Sequence, residues 1–206
     1  MNEISPIERR RVPSDDRRAA IAKAARELIV EKGVEGLRTR DIAERVGINV
    51  ATLHYHVPSK EALIELVAES LAEQFHNQHV MRPREHLGAL ERLAIEFVDF
   101  REFVFERPEV MLVFSELMER ARRDERIGAA IFPLKHRWRE TLVELLRDGV
   151  TDGAFRPDID PDAAASMIMS SMIGFCRSRI KDVDSYERLA AELQRAIRNP
   201  NGSPRE

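Results

Sequence analysis

Residues 39–63 read Thr39-Arg40-Asp41-Ile42-Ala43-Glu44-Arg45-Val46-Gly47-Ile48-Asn49-Val50-Ala51-Thr52-Leu53-His54-Tyr55-His56-Val57-Pro58-Ser59-Lys60-Glu61-Ala62-Leu63. Ala43, Gly47 and Leu53 fall where a tight pair of helices needs a small residue, a turn glycine and a buried apolar residue. Ala43 lets two helices approach. Gly47, with no Cβ, turns the chain at little steric cost. Leu53 pins the second helix to a core, which leaves Val50, Ala51, Thr52, His54 and Tyr55 free to face a DNA groove. The layout is that of a helix-turn-helix, and it predicts sequence-specific binding to double-stranded DNA.

The residues of this stretch divide by chemistry. Thr39, His54 and Lys60 suit phosphate oxygens, Lys60 because it opens a helix whose N-terminal N–H groups and dipole favour an anion. Arg40, Val50, Ala51, Thr52 and Tyr55 suit base edges. Arginine pairs bidentately with guanine, and Val50 and Ala51 offer apolar contact to a thymine methyl. His56 is expected to pack and hydrogen-bond within its own domain.

The same stretch resembles the TetR family of bacterial transcriptional regulators, most strongly over residues 14–66. The family's Thr-Leu-Tyr-x-His-Phe (or Val) followed by Lys-Glu-x-Leu reads here as Thr52-Leu53-His54-Tyr55-His56-Val57 and Lys60-Glu61-Ala62-Leu63. His54 stands where the family usually has Tyr. Beyond residue 70 the likeness is one of helix number, with echoes at Asp152-Gly153-Ala154-Phe155 and Gly174. The resemblance implies a homodimer on a palindromic operator, repression as the default output, and a small-molecule effector held by the middle helices.

Composition agrees with an all-α chain. Its 206 residues include only nine glycines, and strong helix formers dominate. That length accommodates an N-terminal three-helix DNA-binding domain and a larger helical domain with its own core. The net charge of −3 is wrong for a generic nucleic-acid binder, but it is unevenly placed. Of 33 Lys and Arg and 36 Asp and Glu, residues 1–60 hold 12 and 9, and the remainder holds 21 and 27. A basic head on an acidic body suits a protein that docks one end on phosphate. The polar N-terminus and the lack of a long apolar run predict a cytoplasmic protein with no membrane partner.

Helix signals partition the chain further. Residues 1–13, with Arg9-Arg10-Arg11, read as a disordered arm, 14–60 as the DNA-binding domain, 61–198 as a regulatory and dimerisation domain, and 199–206 as a loose tail. A first helix opens with Ser14 as cap, buries Ile21, Ala24, Ala25 and Leu28, and ends at Gly33. Thr39 is expected to cap the second helix and Asn49 the third. A fourth runs from Lys60 to about His79. Pro83 is expected to open the next, and Pro108 the one after. A helix over 125–150 is expected to kink or break at Pro133. Asp160-Pro161 opens one running through Arg179, and Asp184 with Glu187 reads as a capping box for the last.

The aromatic and methionine-rich middle suits either ordinary core or a ligand cavity. Phe97, Phe100, Met111, Phe114, Met118 and Trp138 are the candidate lining residues, with Arg101, Glu116 and Arg120 as polar anchors. The apolar run at Met167, Ile168, Met169, Met172, Ile173 and Phe175 covers more than one helix face, and predicts a dimer through the last two helices. His76 and His79 share a helix face with Glu73 but lack a third placed ligand, so they read as solvated rather than metal-binding. No catalytic motif, cofactor loop or metal motif is present, and the single Cys176 suits an inert thiol in an apolar helix. The competing function is a ligand-independent helix-turn-helix protein whose C-terminal domain only dimerises or binds a protein partner.

Overall fold

The computed structural model describes residues 14–84, 86–178 and 182–200. The basic arm, Arg179 and the last six residues of the tail lie outside the described residues, and the eighth helix ends at Cys176, short of the Arg179 expected for it. The chain forms two compact units, one ending at Ser70 and the other starting at Leu71.

The first unit holds α1 (Ser14–Lys32), a 3-10 turn (Val34–Gly36), α2 (Thr39–Val46), α3 (Val50–His56) and the start of α4 (Lys60–Met81). Helix α1 buries Ile21, Ala25 and Leu28 against α2, which contributes Ile42 and Ala43. Gly33 and Gly47 end α1 and α2 at φ of 69° and 71°, the left-handed region open to glycine. Lys32 bonds Asp41 at 2.7 Å, and the Arg45 guanidinium grips both Glu31 oxygens at 2.7 and 2.9 Å, so charges as well as apolar contacts register α1 on α2. These pairs are exposed and add little stability.

The second unit continues α4 and adds α5 (Ala89–Phe105), α6 (Pro108–Ala121), α7 (Glu125–Thr151), α8 (Pro161–Cys176) and α9 (Val183–Ile197). Helix α7 is the central packing element, touching α5, α6 and α8, while α9 covers α5 and α8. Leu93, Leu117, Ile131, Leu142, Leu146 and Ile168 fill the core. At Gly149 a Cβ would stand 2.1 Å from the Phe155 ring, so the missing side chain is what lets that ring tuck under α7. Phe155 in turn bridges to Arg198, the residue that follows α9. Among the described residues no helix is long and apolar enough to cross a membrane.

Several helix ends depart from expectation. Thr39 does not cap α2; the cap position is Arg38, which makes no side-chain cap bond. Helix α5 starts at Ala89 rather than at Pro83, because Arg82 and Arg84 are drawn into ion pairs with α5 and Glu91 caps the Gly88 N–H. Helix α7 runs unbroken through Pro133. The last helix is capped two residues early: Asp182, not Asp184, accepts the Ser185 N–H at 2.7 Å. That bond, reinforced by the Ser185 hydroxyl, holds the Asp182 carboxyl below the usual range.

Candidate functional site: a helix-turn-helix and a lined cavity

Helix α3 is short and held at both ends. The Asn49 side chain accepts the Thr52 N–H at 2.7 Å, so the expected cap is in place. At the other end the His56 carbonyl accepts a 3.4 Å bond from Arg18, a cation near the negative pole of the helix. Leu53 is 1% exposed and fixes the rotation of the helix. With that face inward, Val50, Ala51, His54 and Tyr55 are exposed, Tyr55 at 85%, and Thr52 is half-buried. Thr39 and Arg40 are exposed on the first turn of α2, and Lys60 on the first turn of α4. The Ser59 hydroxyl caps α4 through the Ala62 N–H at 3.1 Å, a cap that the Pro58-Ser59 break signals. His56 is half-buried, with its ring edge-on to Tyr55.

In the second unit α4, α5, α6 and α7 surround a cavity of about 450 Å³. Its wall includes Phe100, Met111, Phe114 and Trp138, all expected lining residues. Phe75 on α4 meets Phe103 at 4.9 Å and Phe114 at 5.8 Å, both edge-on, and Phe100 stacks on Trp138 at 5.7 Å.

Phe97, Arg101 and Met118 do not line it, and neither do Glu116 and Arg120. The reason lies in the rotation of α5. Positions 96, 99, 100 and 103 face the cavity, so 97 and 101 face elsewhere. The Phe97 carbonyl accepts the Tyr186 hydroxyl of α9 at 2.7 Å, and Arg101 reaches Glu187 at 3.4 Å. Met118 sits a turn beyond Phe114 along α6 and is half-buried.

The polar side of the cavity is built by other residues than the expected anchors Arg101, Glu116 and Arg120. Glu96 and Asp99 line it, and both belong to an ion-pair cluster. Arg84, 7% exposed, bonds Glu96 at 2.5 Å and Asp99 at 2.7 Å. Arg82 bonds Asp99 and Glu102, and Gln78 donates to Glu102 at 2.9 Å. Burial pushes the Glu96 carboxyl up, against the opposing influence of Arg84 and of the Trp138 indole. Glu102 moves the other way, because the Arg82 bond holds it down. The available signal was a pair of acids at helical spacing on the same face of α5 as Phe100 and Phe103. His76 and His79 also reach the wall, though both are exposed. Among the described residues no group of three metal-capable side chains converges.

A capped recognition-type helix in one unit and a cavity-bearing helical bundle in the other define a helix-turn-helix transcriptional regulator. The family model for bacterial regulatory proteins of the tetR family matches residues 21–67, and the model for the C-terminal domain of BetI-type transcriptional repressors matches residues 100–198. The chain belongs to the TetR family, as a DNA-binding regulator and not an enzyme. It is 26% identical over 146 residues to the HTH-type transcriptional repressor KstR2 of Mycolicibacterium smegmatis, covering 71% of each chain. It is 39% identical over 62 residues to the class A tetracycline repressor protein of transposon 1721 in Escherichia coli, covering 30% of this chain and 29% of that one. It shares its fold with a transcriptional regulator of Saccharomonospora viridis solved in complex with choline, at a TM-score of 0.79, 24% identity, and coverage of 90% and 99%.

Proposed function

We propose that the protein is a dimeric repressor that leaves a palindromic operator when a small, partly hydrophobic molecule enters the cavity of the second unit. The observation that carries this reading is the cavity itself. A domain serving only to dimerise has no need of about 450 Å³ of aromatic-lined space. The names of the KstR2 and tetracycline-repressor relatives support repression, and the choline-bound neighbour supports a small-molecule effector. Helix α4 is the proposed relay, being one unbroken helix from Lys60 to Met81 whose later turns supply Phe75 to the cavity wall. A ligand that moves it changes the separation of two recognition helices, which must match half-sites about 34–36 Å apart or multiples of that. Phe114→Trp, which narrows the cavity, is expected to change the effector response in fluorescence anisotropy and to leave operator affinity of the free protein nearly intact. If a broad panel of hydrophobic compounds neither stabilises the protein nor releases the operator, the ligand-independent reading replaces this one.

On the DNA side, Thr39, His54 and Lys60 are proposed for phosphate, and Arg40, Val50, Ala51, Thr52 and Tyr55 for base edges. Lys60→Ala is then expected to weaken all duplexes alike and to flatten the salt dependence by about one unit of slope. Arg40→Ala and Thr52→Ala are each expected to cost about 1–3 kcal/mol and to relax preference at particular base pairs. Binding to operator and scrambled duplexes across a salt series measures both. Equal losses on both duplexes for every variant contradict the assignment.

The proposed dimer surface is on α8 and α9. Ile168, Met169 and Met172 are used by the chain's own core, but Ala163, Met167, Ser170 and Gly174 form an exposed row at helical spacing. Small residues in such a row let a second copy approach closely, and a Cβ on Gly174 would meet nothing within 4 Å in the single chain. Met167→Arg is expected to give a monomer in analytical ultracentrifugation at micromolar concentration, with the helical content unchanged.

A further inference from the structure

We propose that Arg18 is a positioning residue for operator reading: it ties the far end of α3 to α4, so that the tilt of the recognition helix follows the position of α4. The inference rests on α3 being the helix that reads base edges, and adds the device that aims it.

Arg18 lies on the inward side of α1, in line with the buried Ile21, Ala22 and Ala25 that follow it at helical spacing. Its guanidinium reaches two other elements at once. One terminal nitrogen donates to the His56 carbonyl at 3.4 Å, and the other donates to the Glu69 carboxylate at 3.2 Å. Helix α3 gives this bridge its leverage. It has seven residues, packs chiefly on α2, and buries Leu53. One apolar anchor fixes the rotation of so short a helix but holds the tilt of its far end weakly. The last turn of a helix leaves carbonyls without helical partners, and a cation there also meets the negative pole of the helix. Arg18 supplies that cation at His56.

Glu69 then decides where the cation stands. It belongs to α4, the proposed relay, so a shift of α4 carries the carboxylate, the guanidinium and the end of α3 with it. An exposed ion pair of this kind stabilises the fold little, and its consequence is geometric. The competing role for Arg18, whose side chain is 41% exposed, is a direct phosphate contact. The two roles differ in sign at Glu69. Removing an acid from a DNA-binding domain strengthens binding to every duplex by long-range electrostatics, whereas loss of the bridge weakens the matched duplex alone.

The probes are a duplex selected from a random pool by the unaltered full-length protein and a scrambled duplex of the same composition, each titrated by fluorescence anisotropy at fixed salt. Glu69→Gln is expected to weaken the selected duplex by about threefold to fivefold, which lies within what an exposed ion pair supplies, and to leave the scrambled duplex unchanged or slightly tighter. Arg18→Lys keeps the charge but loses the planar fork that holds both partners, so the same selective loss is expected. Both variants are expected to keep the melting temperature, since the pair is exposed. A fall in the ratio of selected to scrambled affinity is the readout that a merely structural role does not move. If Glu69→Gln tightens both duplexes or leaves the ratio unchanged, the coupling is overturned while α3 remains the reading helix. If Arg18→Lys binds as the unaltered protein does, and Arg18→Gln weakens both duplexes alike, the coupling is overturned in favour of a phosphate contact. A pool that yields no preferred duplex overturns the coupling together with the base-reading role of α3.

Discussion

Arg84→Met is expected to destabilise the second unit by about 3–5 kcal/mol, because it leaves the nearly buried Glu96 carboxyl without its counter-charge. Arg84 lies within 2.7 Å of both Glu96 and Asp99, and all three side chains are nearly buried. Asp99 keeps Arg82, whereas the cation bonded to Glu96 in this cluster is Arg84 itself. The loss depends on pH with a defined sign. Glu96 already titrates above its ordinary value near 4.5, chiefly through burial. Its protonated form is the one that folding favours, so its contribution is fully present below that ordinary value and is lost as pH rises through the raised one. Removing Arg84 raises it further. The deficit of Arg84→Met is therefore expected to be largest near neutral pH and to shrink as Glu96 takes up its proton. Urea unfolding at about pH 7.5 and about pH 5 measures the difference. Glu102 has the opposite sign: held down by Arg82, it contributes stability above its ordinary value and loses it on acidification. A deficit that grows on acidification would show that Glu96 is not the group left unpaired. Adding Glu96→Gln to Arg84→Met is expected to recover part of the loss, and the double-mutant cycle reads the coupling directly.

Leu53→Ala is expected to cost about 2–5 kcal/mol in the first unit and to remove operator binding. Leu53 is the only buried residue assigned to α3, a helix of seven residues. Its neighbours on the helix are exposed or half-buried, so no second apolar anchor compensates. The second unit has its own core, and its unfolding transition is expected to stay where it is. Denaturation followed by the single tryptophan, Trp138, reports that unit selectively, and amide exchange reports both. Tyr55→Ala serves as the contrast. Being 85% exposed, Tyr55 contributes little to packing, and its loss is expected to lower DNA affinity without moving either transition. If Leu53→Ala keeps full operator affinity, α3 is not the helix that docks.

The features legible in the sequence were those whose physics is local. Asn49 caps α3 because a side-chain oxygen three residues before an N–H reaches it whatever the rest of the chain does. Gly33 and Gly47 end helices because only the backbone angle at that residue is at issue. Pro108 opens α6 for the same reason. Where two local solutions competed, the choice was not visible. Asp182 and Asp184 both lie near the start of α9, and Asp182 is the one that meets Ser185.

Sequence alone therefore determined the helical class, the helix-turn-helix and the placement of its exposed side chains, since a short amphipathic helix with one buried leucine has one way to turn. The tertiary structure decided the cavity. Whether Phe97 or Phe100 faces it depends on how α5 is rotated, and that rotation is set by the Tyr186 bond from α9 together with the packing against α7. It also decided where α5 begins, because Arg82 and Arg84 find partners 12 to 20 residues further along the chain. Met172 looked available for a partner until α8 was seen to spend it on the chain's own core, leaving Met167 outside. Such outcomes are sums over contacts between residues far apart in the chain, and no window of neighbouring residues contains them.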